Sequence, residues 1–316
     1  MKRRDFIKGA GIAAGAGVAA AASSTLSTPA IAQERIPMVM VSTWPRDFPG
    51  LGTGAQRFAQ RVADLSEGRI QVEYYAAGER VGAFDSFDEV ASGNAQAYHG
   101  ADYYWKGKHP GWAYFTTVPF GLTYTEINAW IRFMGGDVMA KLGASPVSLP
   151  GGQIYENLVS GSIDATEWVG PWNDYAMKFY EAAKYYYYPG FHEPGSMLAV
   201  GMNKSWWEGL SDADKLLIES AASMENDVMM SEYNAKNGQF LAKLIDEQGV
   251  ELKRFNDDVY DSFGAASAEV FEEARAHSDL ANRIHESFLR AREEVGSWAN
   301  LADSAYVAQR NRVLGM

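Results

Sequence analysis

The sequence contains no cysteine in its 316 residues. That absence excludes disulfides, cysteine-ligated zinc and thiol catalysis together. Histidine is sparse, and the five present form no metal-ligand spacing. Positive charge is in deficit: 28 Lys and Arg against 40 Asp and Glu give a net charge of −12. So acidic a chain is a poor partner for nucleic acid or an anionic membrane. Gly-x-Ser-x-Gly, His-Glu-x-x-His and Walker loops are all missing. Gly50-Leu51-Gly52-Thr53-Gly54 is glycine-rich but lacks the Lys and the spacing of a phosphate cradle. Asp164 and Glu167 are three apart on a strand or loop, so they point different ways. No second carboxyl can be nominated to face either one, as glycoside hydrolysis requires. An exported hydrolase therefore remains an alternative without residues to carry it, and the chain is not read as an enzyme.

What is present begins with MKRRDFIKGAGIAAGAGVAAAASSTLSTPAIAQ. Arg3 and Arg4 precede a weakly apolar Gly/Ala run and an Ala-x-Ala end at Ala30–Ala32. This is the pattern of a twin-arginine export signal over 1–32, and the run is shorter than the roughly 20 apolar residues of a membrane span. Its removal takes away Lys2, Arg3, Arg4, Lys8 and Asp5, a net of +3, so the charge moves from −12 to −15. A periplasmic protein without disulfides relies on core burial. Nine Trp, 17 Tyr and 15 Phe supply the apolar area for that core and for aromatic walls of a site.

Along the chain, Ile36 to Val41 predicts a buried strand. Phe58, Val62 and Leu65 mark one stripe of a helix that stops at Glu67-Gly68, and Ile70, Val72 and Tyr74 alternate as a strand does. This βαβ order predicts an α/β fold with a parallel sheet. VASGNAQAYHG (Val90 to Gly100) echoes LVSGSIDATEW (Leu158 to Trp168): each ends a helix, turns at Ser-Gly and enters a short strand. The echo predicts two lobes, with His99, Tyr103, Glu167 and Trp168 at strand ends beside a shared crevice. Ser211 predicts a helix N-cap, followed by an apolar stripe through Leu216, Leu217, Ala221, Met224 and Val228. Gly249 to Phe255 is strand-like. Asp257 to Ala276 and Leu280 to Arg312 read as helices, the second with Gly296 as its weak point.

Three loops combine aromatics, Gly or Pro and a polar anchor: Trp44–Gly50, Glu167–Asn173 and Tyr185–Gly195. The third holds four consecutive tyrosines, at least two of which are expected to pack the sheet. It also holds Glu193, a carboxylate fixed in place by Pro194. Apolar walls with a few convergent polar groups are the make-up of a ligand pocket.

HGADYYWKGKHPGW, LPGGQIYENLVSGSIDATEWVGPWND and AAKYYYYPGFHEPGS resemble the substrate-binding proteins of tripartite ATP-independent periplasmic (TRAP) transporters. More narrowly, they resemble the subgroup that binds 2-oxo acids and lactate. The resemblance covers nearly the whole chain after residue 32. It implies a two-lobed, hinged fold: lobe I from 33–122 and 196–256, lobe II from 123–195 and 257–316. It also implies a small monocarboxylate held through a bridging Na⁺ or Ca²⁺, delivery to membrane transporter subunits, and in some members a dimer with exchanged C-terminal helices. Carried over residue by residue, Glu167, Glu193 and the Trp168 carbonyl would face the metal, while Tyr103 and Trp168 would line the substrate.

One departure stands out. The family has roughly fifty more residues where this chain reads Asn128 to Asp137, so lobe II is expected to be shortened by an internal deletion near residues 131–136. A glutamine metal ligand of the family has no counterpart. Arg132 has two readings: it stands for the family's substrate-clamping arginine, or it belongs to the helix upstream. The deletion also raises an alternative, a family member that no longer binds ligand.

Overall fold

The computed structural model describes residues 35–133, 151–163, 165–191 and 193–316, with the backbone alone at 130–133, 151 and 152. The expected export signal, residues 134–136 of the expected junction, Asp164 and His192 lie outside the described residues.

The first strand, β1, runs Ile36–Ser42, and the second, β2, runs Ile70–Tyr75. They pair in parallel from Ile36↔Ile70 to Val41↔Tyr75, as the βαβ order predicts. Helix α1, Leu51–Leu65, crosses between them. It ends where Glu67 and Gly68 both take positive φ, 53° and 77°. Strand β3, Ala97–Gly100, pairs parallel to β1, and β5, Ala199–Met202, pairs antiparallel to β3. The sheet order is β2-β1-β3-β5.

Both faces of this sheet are covered. On one, Met38, Met40 and Ile70 pack with Phe58 and Val62 of α1 and with Ile218 and Ala221. On the other, Val41, Trp44 and Tyr98 pack with Val90, Tyr104 and Trp105. Burial on two sides explains why β1 is a continuous apolar run rather than an alternating one.

Ile218 and Ala221 belong to α9, Asp212–Asp246, a helix of 35 residues. Its N-cap is Ser211, whose hydroxyl accepts from the Asp214 N–H at 3.2 Å, as expected. The buried line differs from the expected stripe. It runs Asp214, Ile218, Ala221, Glu225, while Leu216, Met224 and Val228 are exposed. The reason is electrostatic. Asp214 takes Arg69, and Glu225 takes both Arg57 at 2.7 Å and Arg61. The ion pairs let two acids occupy positions where a pattern of apolar residues alone places none. No described helix is long and apolar enough to cross a membrane.

A second core joins α3 (Trp112–Thr116), α4 (Tyr124–Phe133) and α11 (Asp279–Ala299) through Tyr114, Phe115, Leu122, Ile127, Ile284 and Phe288. Strands β4 (Tyr185–Tyr188) and β6 (Glu251–Arg254) form a separate parallel pair. This sheet thus takes one strand from each of the segments expected for the two lobes. Three of its tyrosines, Tyr185, Tyr187 and Tyr188, are exposed, against the expectation that at least two would be core. Two strands alone do not build an apolar face, so only Tyr186 gains partial cover.

The C-terminal helix breaks at a π-turn over Asn300–Ser304, before α12, Ala305–Leu314, and not at Gly296. Gly296 sits inside α11, where an added Cβ would lie 2.9 Å from the Glu126 carboxylate. Its small size serves a close approach.

Candidate functional site

Tyr103 stands on a 3-10 turn, Asp102–Trp105, directly after β3. The Thr116 hydroxyl accepts its backbone N–H at 3.0 Å, and the Tyr104 ring lies 4.8 Å from its own. Its hydroxyl hydrogen-bonds Glu193, and burial with the nearby acids Glu193 and Glu167 holds it un-ionised. Glu193 is half-buried. Burial and the charge of Glu167 push its carboxyl up to about 8, against the opposing effect of Tyr103, Ser196 and Lys106. Tyr103 thus feels the charges of both Glu193 and Glu167.

Glu167 does not sit at a strand end. Residues 165–168 are irregular, although Ser160-Gly161 does turn as Ser92-Gly93 does. The echo fails at its last step for want of a pairing partner. β3 is flanked by β1 and β5, whereas no described strand lies beside 165–168. Trp168 is half-buried, with its ring 6.5 Å from Phe48 in an edge-on arrangement. This brings the first and second aromatic loops together. Its indole N–H is buried without a hydrogen-bond partner among the described residues. Trp172 packs on Tyr233 and Phe240 of α9. Arg132 lies in α4, so the upstream-helix reading describes its backbone, and its side chain lies outside the described residues.

The sequence reading missed Asp174. It lies on α6, Pro171–Ala176, and is 7% exposed. Burial pushes its carboxyl up to about 7, and Glu167 adds to the rise. The Tyr186 hydroxyl donates to one oxygen at 2.6 Å, and the other oxygen has no hydrogen-bond partner among the described residues. Its only sequence signal was an acid in the first turn of a proline-started helix, which usually marks an exposed, dipole-favoured site. His99, expected near the crevice, is buried with Nδ1 accepting from the Trp44 indole at 2.8 Å, and burial lowers its pKa to about 4. It is neutral.

A carboxyl withdrawn from water, Glu193, under the charge of a more exposed one, Glu167, suits a hard cation, which takes oxygen ligands and favours the ionised form. Glu167, Glu193 and a backbone carbonyl are a donor set of that kind. Among the described residues no three His, Asp or Glu side chains gather as a metal cluster. A cation here would therefore draw its remaining oxygens from main chain, water or ligand.

The sequence profile of the bacterial extracellular solute-binding proteins, family 7 (DctP), matches residues 40–139 and 131–277. The chain belongs to that family. It is 30% identical over 360 aligned positions to a protein of Nostoc sp. named monocarboxylate 2-oxoacid-binding periplasmic protein, covering 97% of this chain and 98% of the relative. A TRAP periplasmic solute-binding protein of Colwellia psychrerythraea, solved with calcium and pyruvate, superposes with TM-score 0.81 at 29% identity, covering 87% of this chain and all of that one. One from Pseudoalteromonas atlantica, solved with sodium and pyruvate, gives TM-score 0.81 at 28% identity, covering 87% of this chain and 99% of that one. These matches bear out the α/β binding-protein fold read from the sequence.

The alignments also bear on the expected deletion. With 97% of 316 residues being about 307, roughly fifty of the 360 positions aligned to the Nostoc protein have no residue of this chain opposite them. The family profile matches in two pieces that overlap at 131–139, the stretch where the sequence departs from the family pattern.

Proposed function

We propose that this protein captures a small 2-oxo or 2-hydroxy monocarboxylate in the periplasm, through a bridging Na⁺ or Ca²⁺, and delivers it to the membrane subunits of a TRAP transporter. The observation that carries the reading is the Glu193 carboxyl, raised to about 8 first by burial and then by the charge of Glu167. A cation there relieves the repulsion and presents positive charge to an anionic ligand, in a chain whose own net charge is −12. Glu167, Glu193 and the Trp168 carbonyl would hold the cation. Tyr103 donates its hydroxyl to the ligand carboxylate, and the Trp168 indole closes the wall. Arg132 would add a bidentate contact if its side chain reaches the ligand. Binding and release, with closure of two lobes at a hinge, complete the function, and no bond-making step belongs to it.

Residues 1–32 direct export by the twin-arginine route. The C-terminal α11–α12 segment, which exposes Trp298, Leu301 and Tyr306, is suited to cover by a second copy.

Titration calorimetry with pyruvate, lactate and 2-oxobutyrate, each with and without Na⁺ or Ca²⁺, tests the proposal. Heat that requires the cation is expected, and no heat with any acid at millimolar concentration would sink the assignment. The roughly fifty unmatched positions favour one rival reading, a family member that has lost ligand binding. A cooperative melt together with silent calorimetry would select the rival.

A further inference from the structure

Helix α1 opens on an unusual corner. The Leu51 N–H donates to the Pro49 carbonyl at 2.8 Å, closing a three-residue turn around Gly50 at φ 70° and ψ −63°. This positive-φ γ-turn is open to glycine and unfavourable for residues with a Cβ, so it is kept where surrounding contacts demand that corner. Here they do. An added Cβ at Gly50 would lie 2.4 Å from the Tyr233 hydroxyl of α9. The turn pushes the Pro49 carbonyl outward, where it accepts two side-chain donors. The Asn173 amide donates at 2.9 Å and the Tyr233 hydroxyl at 3.4 Å.

Asn173 is fully buried, yet its amide oxygen has no hydrogen-bond partner among the described residues. A buried amide with half its capacity unmet is a poor choice for stability alone, since an apolar side chain of that shape avoids the desolvation loss. Its connection to the site is short and stiff. Four residues separate it from Trp168, and they include Gly170 at φ 150° and Pro171 at the first helical position. Gly170 lies against Asn237, and the Trp172 N–H donates to the Asn237 amide oxygen at 3.1 Å. Phe48 and Trp168 meet beside this junction.

We infer that Asn173 is a positioning residue for ligand capture: its amide, bonded to the Pro49 carbonyl of the Gly50 turn, holds the Glu167–Trp168 segment against the Trp44–Gly50 loop. The inference rests on the proposed function, because it names what keeps that site's two walls in register. Tyr233 acts as the second donor to the same carbonyl. Loss of the clamp frees Trp168 to move from Phe48, and a bound acid escapes faster. Glu193 and Tyr103 lie on other elements and are left in place, while Glu167 and the Trp168 carbonyl move with the segment.

The test uses the full chain with pyruvate and Ca²⁺ as probes. Asn173→Leu is expected to raise the pyruvate dissociation rate about tenfold, the scale of one lost hydrogen bond. Asn173→Asp, which sets a carboxylate against a carbonyl, is expected to raise it further, and Tyr233→Phe by about threefold. Calcium affinity without pyruvate falls by less than pyruvate affinity, because Glu193 is not on the clamped segment, and the ligand-free melting temperature of Asn173→Leu does not fall. Unchanged dissociation in both Asn173 variants overturns the inference, and so does an equal loss of calcium and pyruvate affinity, which marks general damage. If the wild type binds no acid, the functional reading fails separately. Hydrogen exchange at the Gly170–Asp174 amides of unliganded Asn173→Leu then decides: at least about tenfold faster supports the clamp, and no change overturns it.

Discussion

The two sheets of this molecule differ in what covers them. The four-stranded sheet is sealed on both faces, with Met38 and Met40 fully buried. The two-stranded sheet leaves Tyr185, Tyr187 and Tyr188 exposed at 59%, 53% and 47%. The residues proposed to hold the cation lie on irregular chain near the second sheet, and only Tyr103 follows a strand of the first. The contrast separates where stability resides from where charge is concentrated.

The largest expected effect tests the sealed sheet. Phe58→Ala, which empties a fully buried position between α1 and β1, should destabilise by about 3–5 kcal/mol in denaturant unfolding. A cost below about 1 kcal/mol would contradict the division drawn here.

Next comes the acid pair. Glu193→Gln and Glu167→Gln should each weaken cation-dependent pyruvate binding by roughly tenfold to a hundredfold, measured by calorimetry, with the fold intact by circular dichroism. Equal binding by both variants would remove them from the site.

A smaller effect is expected from pH. Glu193 is raised to about 8 and Asp174 to about 7, chiefly by burial. In this window the folded protein holds protons that the unfolded chain has released, so stability falls as pH rises. Below about 6.5 the buried histidines, whose pKa values are lowered by burial, act in the opposite direction. The cation-free melting temperature should therefore drop between pH 6.5 and 8.5, and Ca²⁺ should remove the Glu193 share by displacing its proton. A flat profile without cation would show that the two carboxyls are not raised. The smallest effect belongs to the uncovered sheet: Tyr187→Ala should change stability by less than about 0.5 kcal/mol.

The first sheet was legible in the sequence because its strands carry long apolar runs and its helix a clean stripe. The acid loops were legible because carboxylates beside tryptophan and proline fit neither core nor surface. Three features were not. Glu225 and Asp214 occupy the buried line of α9, which is readable only once Arg57, Arg61 and Arg69 are placed across from them. The irregular course of 165–168 depends on which strands are available to pair. Asp174 looked like an ordinary first-turn acid until Tyr186 and the loss of water around it were known.

Calorimetric titration of pyruvate into the purified protein, with Ca²⁺ present and then chelated, is the most direct test of the central claim. The account predicts saturable binding with Ca²⁺ and its loss, by at least about tenfold in affinity, after chelation. Equal binding in both conditions, or no binding by a cooperatively folded protein, would contradict it.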